Sequence, residues 1–172
     1  MRLNANSDNI NYMTQSPDAD QNEKMIDISQ TTVGVLGGTG EQGRGLATRF
    51  ALAGLSVIIG SRTAERANEV ASEIGHSVKG MTNVDAALAS DLVIVAVPWD
   101  GHKELLESLV ISLSGKIVVD CVNPLGFDKQ GAFRLDVAEG SAAQQAQIIL
   151  ADSRVVAAFH HISAKLLLDT DG

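Results

Sequence analysis

The sequence is poor in cysteine, in positive charge and in long apolar runs. Its single cysteine, Cys121, excludes an intrachain disulfide and fits a reducing compartment. Lys and Arg number 13 against 21 Asp and Glu, and the net charge of -8 argues against nucleic-acid binding, which relies on clustered cations. No apolar run approaches the ~18 residues of a membrane span, and no signal-peptide pattern opens the chain. We therefore expect a cytoplasmic protein with neither a nucleic-acid nor a membrane partner.

The composition that remains is that of a globular domain, with 45% hydrophobic and 20% charged residues. The length allows one domain with a substantial core and is short for two. Residues 1–30 are rich in Asn, Asp, Ser and Gln and lack a hydrophobic period, which predicts a disordered leader. From residue 31, apolar runs alternate with helical patterns. We predict an α/β fold over residues 31–160, a Rossmann-type doubly wound parallel sheet with helices on both faces.

A glycine motif lies between the first two predicted strands, Val33–Leu36 and Val57–Ile59. In a GxGxxG turn, Gly38 permits the tight bend, Gly40 lets the main chain approach a pyrophosphate, and Gly43 lets the helix lie against the strand. The first amides of that helix and its dipole favour an anion. The motif predicts a dinucleotide site. The alternative is that these glycines only serve a crowded strand–helix turn.

The end of the second strand predicts which dinucleotide binds. NAD enzymes usually place an acid there, but this chain has Ser61 and Arg62 and no acid before Glu65. A guanidinium and a hydroxyl bind a 2′-phosphate that a carboxylate would repel, and Arg66 and Thr39 are further candidates to contact it. We therefore predict NADP. The alternative is that Arg62 lies in solvent and Arg66 pairs with a nearby Glu.

The fourth predicted strand, Leu92–Val97, is apolar at every position, as expected of a strand buried on both faces. It flanks the point where strand order reverses, so Pro98 and Trp99 are expected on the nicotinamide side of the crevice. Trp99 is equally well explained as a core anchor. Asp100 is predicted to cap the next helix, and His102 in its first turn is predicted to be solvated.

The segments after the fourth strand contain fewer candidate functional side chains. Cys121 follows the fifth strand and is predicted to be buried rather than nucleophilic. Leu125–Gly140 is predicted to be a loop. The sixth strand, Arg154–Phe159, is followed by His160 and His161, which point to opposite sides of an extended chain and make a poor chelate, so no metal site is predicted.

Six motifs in order, VGVLGGTGEQGRGLA, IIGSRT, VIVAVPW, NPLGF, GSAAQQA and VVAAFHHISA, run from about Thr32 to Ala164. With them the chain resembles the NADPH-dependent F420 reductases, or F420H2:NADP oxidoreductases. The resemblance implies reversible hydride transfer between C4 of the nicotinamide of NADP and C5 of the deazaflavin coenzyme F420. Such chemistry needs two rings held together and water excluded rather than an acid–base pair.

The resemblance also implies which residues bind. The glycine loop and the Ser61–Arg62 pair match the family's NADP site, and Pro98, His160 and Ile162 match positions beside the deazaflavin. His160 is the candidate catalytic residue, hydrogen-bonding the deazaflavin ring; the alternative is a histidine that caps a strand. The cofactor-binding set comprises Gly38, Thr39, Gly40, Glu41, Gln42, Gly43, Ser61, Arg62, Arg66, Val97, Pro98, Trp99 and Ile162.

Members of that family continue past the paired histidines into a small C-terminal domain, so residues 161–172 are expected to be the start of a truncated segment. The apolar ending suggests a missing domain or a subunit contact, which leaves a homo-oligomer open. Two other functions remain open at this point. One is an NADP-dependent reductase with a ferric, imine or keto acceptor, and the other is a non-catalytic module that senses NADP(H).

Overall fold

The strands and helices alternate along the chain in the computed structural model, which describes residues 28–170. The strands are β1 (Thr32–Leu36), β2 (Ser56–Ser61), β3 (Lys79–Thr82), β4 (Leu92–Val95), β5 (Ile117–Asp120), β6 (Leu125–Asp128), β7 (Gly131–Arg134) and β8 (Arg154–Ala157). The helices are α1 (Glu41–Leu52), α2 (Ala64–Ile74), α3 (Asn83–Ala89), α4 (His102–Leu113), α5 (Ala142–Ile149) and α6 (Ala164–Leu168). Short 3-10 turns cover Ile28–Gln30 and Trp99–Gly101.

The central sheet has six strands in the order β3-β2-β1-β4-β5-β8, and every pairing in it is parallel. Strand β1 lies between β2 and β4, with Val35 beside Ile59 on one side and Ile94 on the other. The chain therefore reverses its direction of winding at β1. Because ligands of such sheets bind beyond the carboxyl ends at this point, the fold locates the site. The predicted Rossmann-type fold is confirmed.

Helices cover both faces of the sheet because the buried strand residues alternate in direction. Val35 and Ile59 point to the face covered by α1, α2 and α6, whereas Leu36 and Val95 point to the face covered by α3, α4 and α5. Leu106 and Leu109 of α4 are completely buried on this second face. Within residues 28–170 no helix is both long and apolar enough to cross a membrane.

Two predictions of local structure were wrong. Strand β4 ends at Val95, and Asp100 lies in a 3-10 turn, so Gly101 rather than Asp100 precedes α4 and no side chain caps that helix. The predicted loop Leu125–Gly140 contains the antiparallel hairpin β6–β7. Its strands have four residues each and are largely exposed, so they show no alternation of buried and solvated positions. The ring of Phe133 lies across Gly126 instead.

The last helix lies along α1. Leu167 packs over Gly45, where an added Cβ would lie 2.5 Å from the Cβ of Leu167. The Arg49 guanidinium donates hydrogen bonds to the carbonyl oxygens of Leu166 and Leu167 at 2.9 and 2.8 Å, and to that of Asp169. Part of the apolar ending is thus packed on the domain. Most of the leader predicted from sequence, residues 1–27, lies outside the described residues.

Candidate functional site

Two cavities lie beyond the carboxyl ends of the strands. The larger, about 880 Å³, extends from the glycine turn to the end of β2 and the first turns of α4. The smaller, about 350 Å³, lies between the start of α1 and the segments that follow β5 and β8. Both are lined by Gly40, Ala96, Val97 and Pro98. They are therefore two halves of one crevice, joined where α1 begins.

The glycine turn brings β1 and α1 into close contact. Gly37 has φ +66°, so it takes the left-handed conformation of the bend, whereas the sequence analysis assigned the bend to Gly38. Gly38 and Gly43 are needed instead because the turn and α1 lie too close together for a side chain. A Cβ on Gly43 would lie 2.6 Å from the Cα of Gly38. The Oδ1 of Asn83 accepts a hydrogen bond from the Gly37 amide at 3.2 Å and fixes the turn.

The N-terminus of α1 is open toward the crevice. Helices α2, α3 and α5 each begin with a capping hydroxyl, from Thr63, Thr82 and Ser141, whereas Gly40 provides no side-chain cap. The first amides of a helix have no intrahelical partner. A Cβ on Gly40 would have no protein atom closer than 3.9 Å, so this side of the chain faces the crevice. The geometry suits a pyrophosphate that accepts from these amides.

At the β2 end of the crevice, Ser61 is buried and Arg62 is exposed on the wall. Within residues 28–170 the Arg62 guanidinium forms neither an ion pair nor a hydrogen bond. Arg66 lines the same cavity, but its guanidinium contacts Glu69 at 3.0 Å. Thr39 lines the cavity from the glycine loop. An unpaired guanidinium beside a hydroxyl, with no carboxylate at the strand end, is the arrangement that binds a phosphate.

The other half of the crevice is lined by Glu41, Gln42, Cys121, Val122, Asn123, Phe159, His160 and Ile162. Phe159 has φ +66°, which is uncommon for a bulky residue and typical of functional sites. Two carboxamides hold the backbone around it: Gln42 donates to the Phe159 carbonyl at 3.4 Å, and Asn123 donates to the His160 carbonyl at 3.0 Å. The Phe159 ring meets Phe50 edge to face at 6.2 Å. These contacts place His160 at the crevice.

Cys121 reaches this half of the crevice but is not set up as a nucleophile. Its Sγ donates to the Val95 carbonyl at 2.9 Å, and the residue is 7% exposed. Burial, with a smaller contribution from the Asp120 carboxylate, raises the pKa of the Cys121 thiol from 9.0 to about 12. Because the thiolate is the reactive form, this cysteine is an inert wall residue near neutral pH.

Trp99 and His102 pack in the core and do not line the crevice. The Trp99 ring packs on the core and stacks on the imidazole of His102, with centroids 5.4 Å apart, and it lines neither half of the crevice. His102 is fully buried, so its predicted solvation was wrong. The 3-10 turn makes His102 the first residue of α4 and turns its ring inward, 2.6 Å from Asp120. Sequence reasoning also missed the buried Asn83, whose position resembles an ordinary helix start.

Residues 32–124, which carry the glycine turn, Arg62, Pro98 and Asn123, match the family described as NADP oxidoreductase coenzyme F420-dependent. The chain belongs to this family. The match ends before Phe159, His160 and Ile162, so it covers the larger half of the crevice and part of the smaller half.

Curated relatives extend the family comparison over most of the chain. The F420-dependent NADP reductase of Methanothermobacter thermautotrophicus is 42% identical over 84% of this chain, and that of Methanothermobacter marburgensis is 44% identical over 81%. The chain spans 67% of the length of each. Among solved structures, a hypothetical protein from Sinorhizobium meliloti, SMa0349, is 30% identical with a TM-score of 0.66, over 80% of this chain and 65% of that one.

Proposed function

We propose that this chain is an NADP-dependent oxidoreductase that exchanges a hydride with coenzyme F420. The observation that carries the proposal is the single crevice that runs from Arg62 past Gly40 and Pro98 to His160, in a member of the F420-dependent family. When bound, NADPH would supply a hydride to the deazaflavin and become NADP+, and a proton from solvent would complete F420H2. A cytoplasmic location belongs to this proposal and is supported by the single buried thiol.

The chain's own residues bind and orient the two partners. The open start of α1 receives the pyrophosphate, and Arg62, Ser61 and Thr39 bind the 2′-phosphate. Because NADP is thereby held at the β1–β2 side, its nicotinamide lies toward Pro98 and the smaller half of the crevice. Ala96, Val97 and Pro98 form an apolar wall that excludes water there.

His160 is proposed to hydrogen-bond the deazaflavin where negative charge develops during hydride transfer. It is half-buried, lines the smaller cavity, and has its backbone held by Asn123. A positioned donor of this kind contributes on the order of 100-fold to a rate. Glu41, Gln42 and Ile162 complete the surroundings of the two rings, and Arg66 is proposed as a secondary cation because Glu69 already pairs with it.

The test is an anaerobic assay that follows the loss of deazaflavin absorbance with NADPH as donor. We expect turnover with F420, slower turnover with NADH, and a roughly 100-fold loss in His160→Ala while the Kd for NADP stays unchanged. His161→Ala is the matched control, because His161 is exposed and lines neither half of the crevice. Absence of F420 turnover, or an equal loss in both variants, contradicts the proposal.

A further inference from the structure

A polar network lies in the core beneath the smaller half of the crevice. His102 and Asp120 are both 0% exposed, and Nε2 of the imidazole is 2.6 Å from Oδ2 of the carboxyl group. Nδ1 lies 3.3 Å from Oε1 of Gln145, which is also buried. The Trp99 ring stacks on the imidazole, and the residues that follow Asp120, Cys121 and Val122, are buried. Polar groups in such a place are costly unless every one is hydrogen-bonded, so this network needs an explanation.

The positions of the hydrogens follow from the partners. Gln145 donates through Nε2 to the Glu139 carboxylate at 3.2 Å, so its Oε1 faces His102 as an acceptor. Nδ1 of His102 therefore carries a hydrogen. Nε2 of His102 lies 2.6 Å from Oδ2 of Asp120, whose other oxygen accepts a hydrogen bond from the Val122 amide at 2.9 Å. The ring is thus bonded at both nitrogens and has one orientation.

The network connects the two walls of the nicotinamide half. His102 directly follows the 3-10 turn Trp99–Gly101, which Pro98 precedes, and Asp120 is the last residue of β5, directly before the Cys121–Asn123 segment. Gln145 connects His102 to α5. Neither β1 nor β2, which carry the adenosine end, contributes a side chain to it.

We propose that His102 is a positioning residue for hydride transfer, which holds the Pro98 wall and the Cys121–Asn123 wall at a fixed separation through Asp120 and Gln145. The inference rests on the proposed function in taking the nicotinamide to be the group between these walls. A displacement of reacting groups by about 1 Å costs on the order of 100-fold in rate, so a side chain that contacts neither ring still controls turnover.

Three variants of the full chain test this role. His102→Phe keeps a flat ring against Trp99 but removes both ring nitrogens. Gln145→Met removes the acceptor of Nδ1 and the bond to Glu139 but keeps the contact of His102 with Asp120, so it serves where the first variant folds poorly. Lys103→Ala is the control, because Lys103 is the exposed neighbour of His102 and, among residues 28–170, forms an ion pair only with Glu107. Saturation-transfer NMR with NADP compares the signals of the nicotinamide and adenine protons on each variant.

We expect the nicotinamide-to-adenine ratio to fall by about twofold or more in His102→Phe, by less in Gln145→Met, and not in Lys103→Ala. The Kd for NADP should stay within about threefold, while kcat with F420 falls roughly 10- to 100-fold at an unchanged KM for NADPH. An unchanged ratio in folded His102→Phe and Gln145→Met overturns the inference. Wild type that binds NADP but does not reduce F420 overturns the proposed function instead, and the NMR ratios still decide the role of His102.

Discussion

Arg62 is the one residue whose charge sets the predicted choice between the two nicotinamide cofactors. Its guanidinium has no protein partner within the described residues, so a bound phosphate would supply its first one. We predict that Arg62→Ala raises the Kd for NADP by about 10- to 100-fold, as expected for loss of a charge-assisted hydrogen bond, and leaves the Kd for NAD nearly unchanged. Titration calorimetry with both nucleotides measures the two values.

Arg66→Ala is the matched control for Arg62. Both arginines line the larger cavity, but the Arg66 guanidinium is engaged with Glu69, so its removal should cost less than about threefold in NADP affinity. Equal losses in the two variants would show that NADP affinity depends on the net charge of the cavity rather than on a particular guanidinium. Unchanged NADP affinity in Arg62→Ala would refute the cofactor assignment.

The buried thiol of Cys121 makes the free energy of unfolding depend on pH. Its pKa is 9.0 in its ordinary environment and about 12 in the fold, so the folded state retains the proton longer than the unfolded chain. The resulting stabilisation is fully present below pH 9 and is lost as pH rises toward 12. We predict that the free energy of unfolding of wild type, relative to Cys121→Ala, falls by about 2–3 kcal/mol between pH ~8 and ~11. Urea unfolding of both proteins measures it, and a constant difference would contradict it.

The sequence alone predicted the crevice residues that lie close to the end of a strand. Ser61 ends β2, and Pro98 and His160 lie three residues beyond the ends of β4 and β8, so their place on the crevice could be inferred from the pattern. His102 could not be placed in this way, because its burial depends on where the turn at Trp99 ends and on an acid 18 residues later in the chain. Long-range polar pairs of this kind leave no periodic signal.

At the scale of elements, two glycines of the β1–turn–α1 unit have different roles: we expect one to matter for stability and the other for ligand binding. Gly43 lies against the main chain of Gly38, whereas Gly40 faces open space in the crevice. We predict that Gly43→Ala lowers the free energy of unfolding by about 1–3 kcal/mol through overpacking, together with loss of NADP binding. Gly40→Ala should change stability by less than about 1 kcal/mol, since its φ of -82° suits alanine, yet raise the Kd for NADP about 10-fold or more.

Chemical unfolding and calorimetry on the same two variants distinguish these effects. A stability loss in Gly40→Ala as large as that in Gly43→Ala would mean that Gly40 is needed for the turn rather than for the ligand. Retained NADP affinity in Gly40→Ala would mean that the pyrophosphate does not approach this part of the backbone. Either result would move the phosphate site away from the start of α1.

The elements that the sequence predicted well are those with strong burial signals. Strand β4 is apolar throughout, so it was found within two residues of its bounds. The hairpin β6–β7 was missed because its pairing is local and its side chains are mostly exposed. The packing of α6 on α1 depends on the contact of Leu167 with Gly45, which no local pattern encodes.

At the scale of the whole molecule, the crevice joins two halves of one sheet. The larger half lies beyond the ends of β1 and β2 and against α4, and the smaller half lies between the start of α1 and the segments that follow β5 and β8. A ligand that contacts both halves stabilises the folded state of both. The stabilisation is about 2.7 kcal/mol at a ligand concentration 100 times its Kd. Both halves should therefore unfold in one transition whose midpoint depends on the nucleotide.

We predict that saturating NADP raises the Tm by about 5–10 °C in a single calorimetric transition, given the 2–4 °C per kcal/mol typical of chains of this size. NAD at the same concentration should raise it less, and Arg62→Ala should remove the difference between them, because the 2′-phosphate then has no guanidinium to contact. Two separate transitions, with only one moved by NADP, would show that the halves fold independently and that the nucleotide contacts just one. An equal shift with both nucleotides would instead locate the binding energy in the pyrophosphate and the rings, with no contribution from the end of β2.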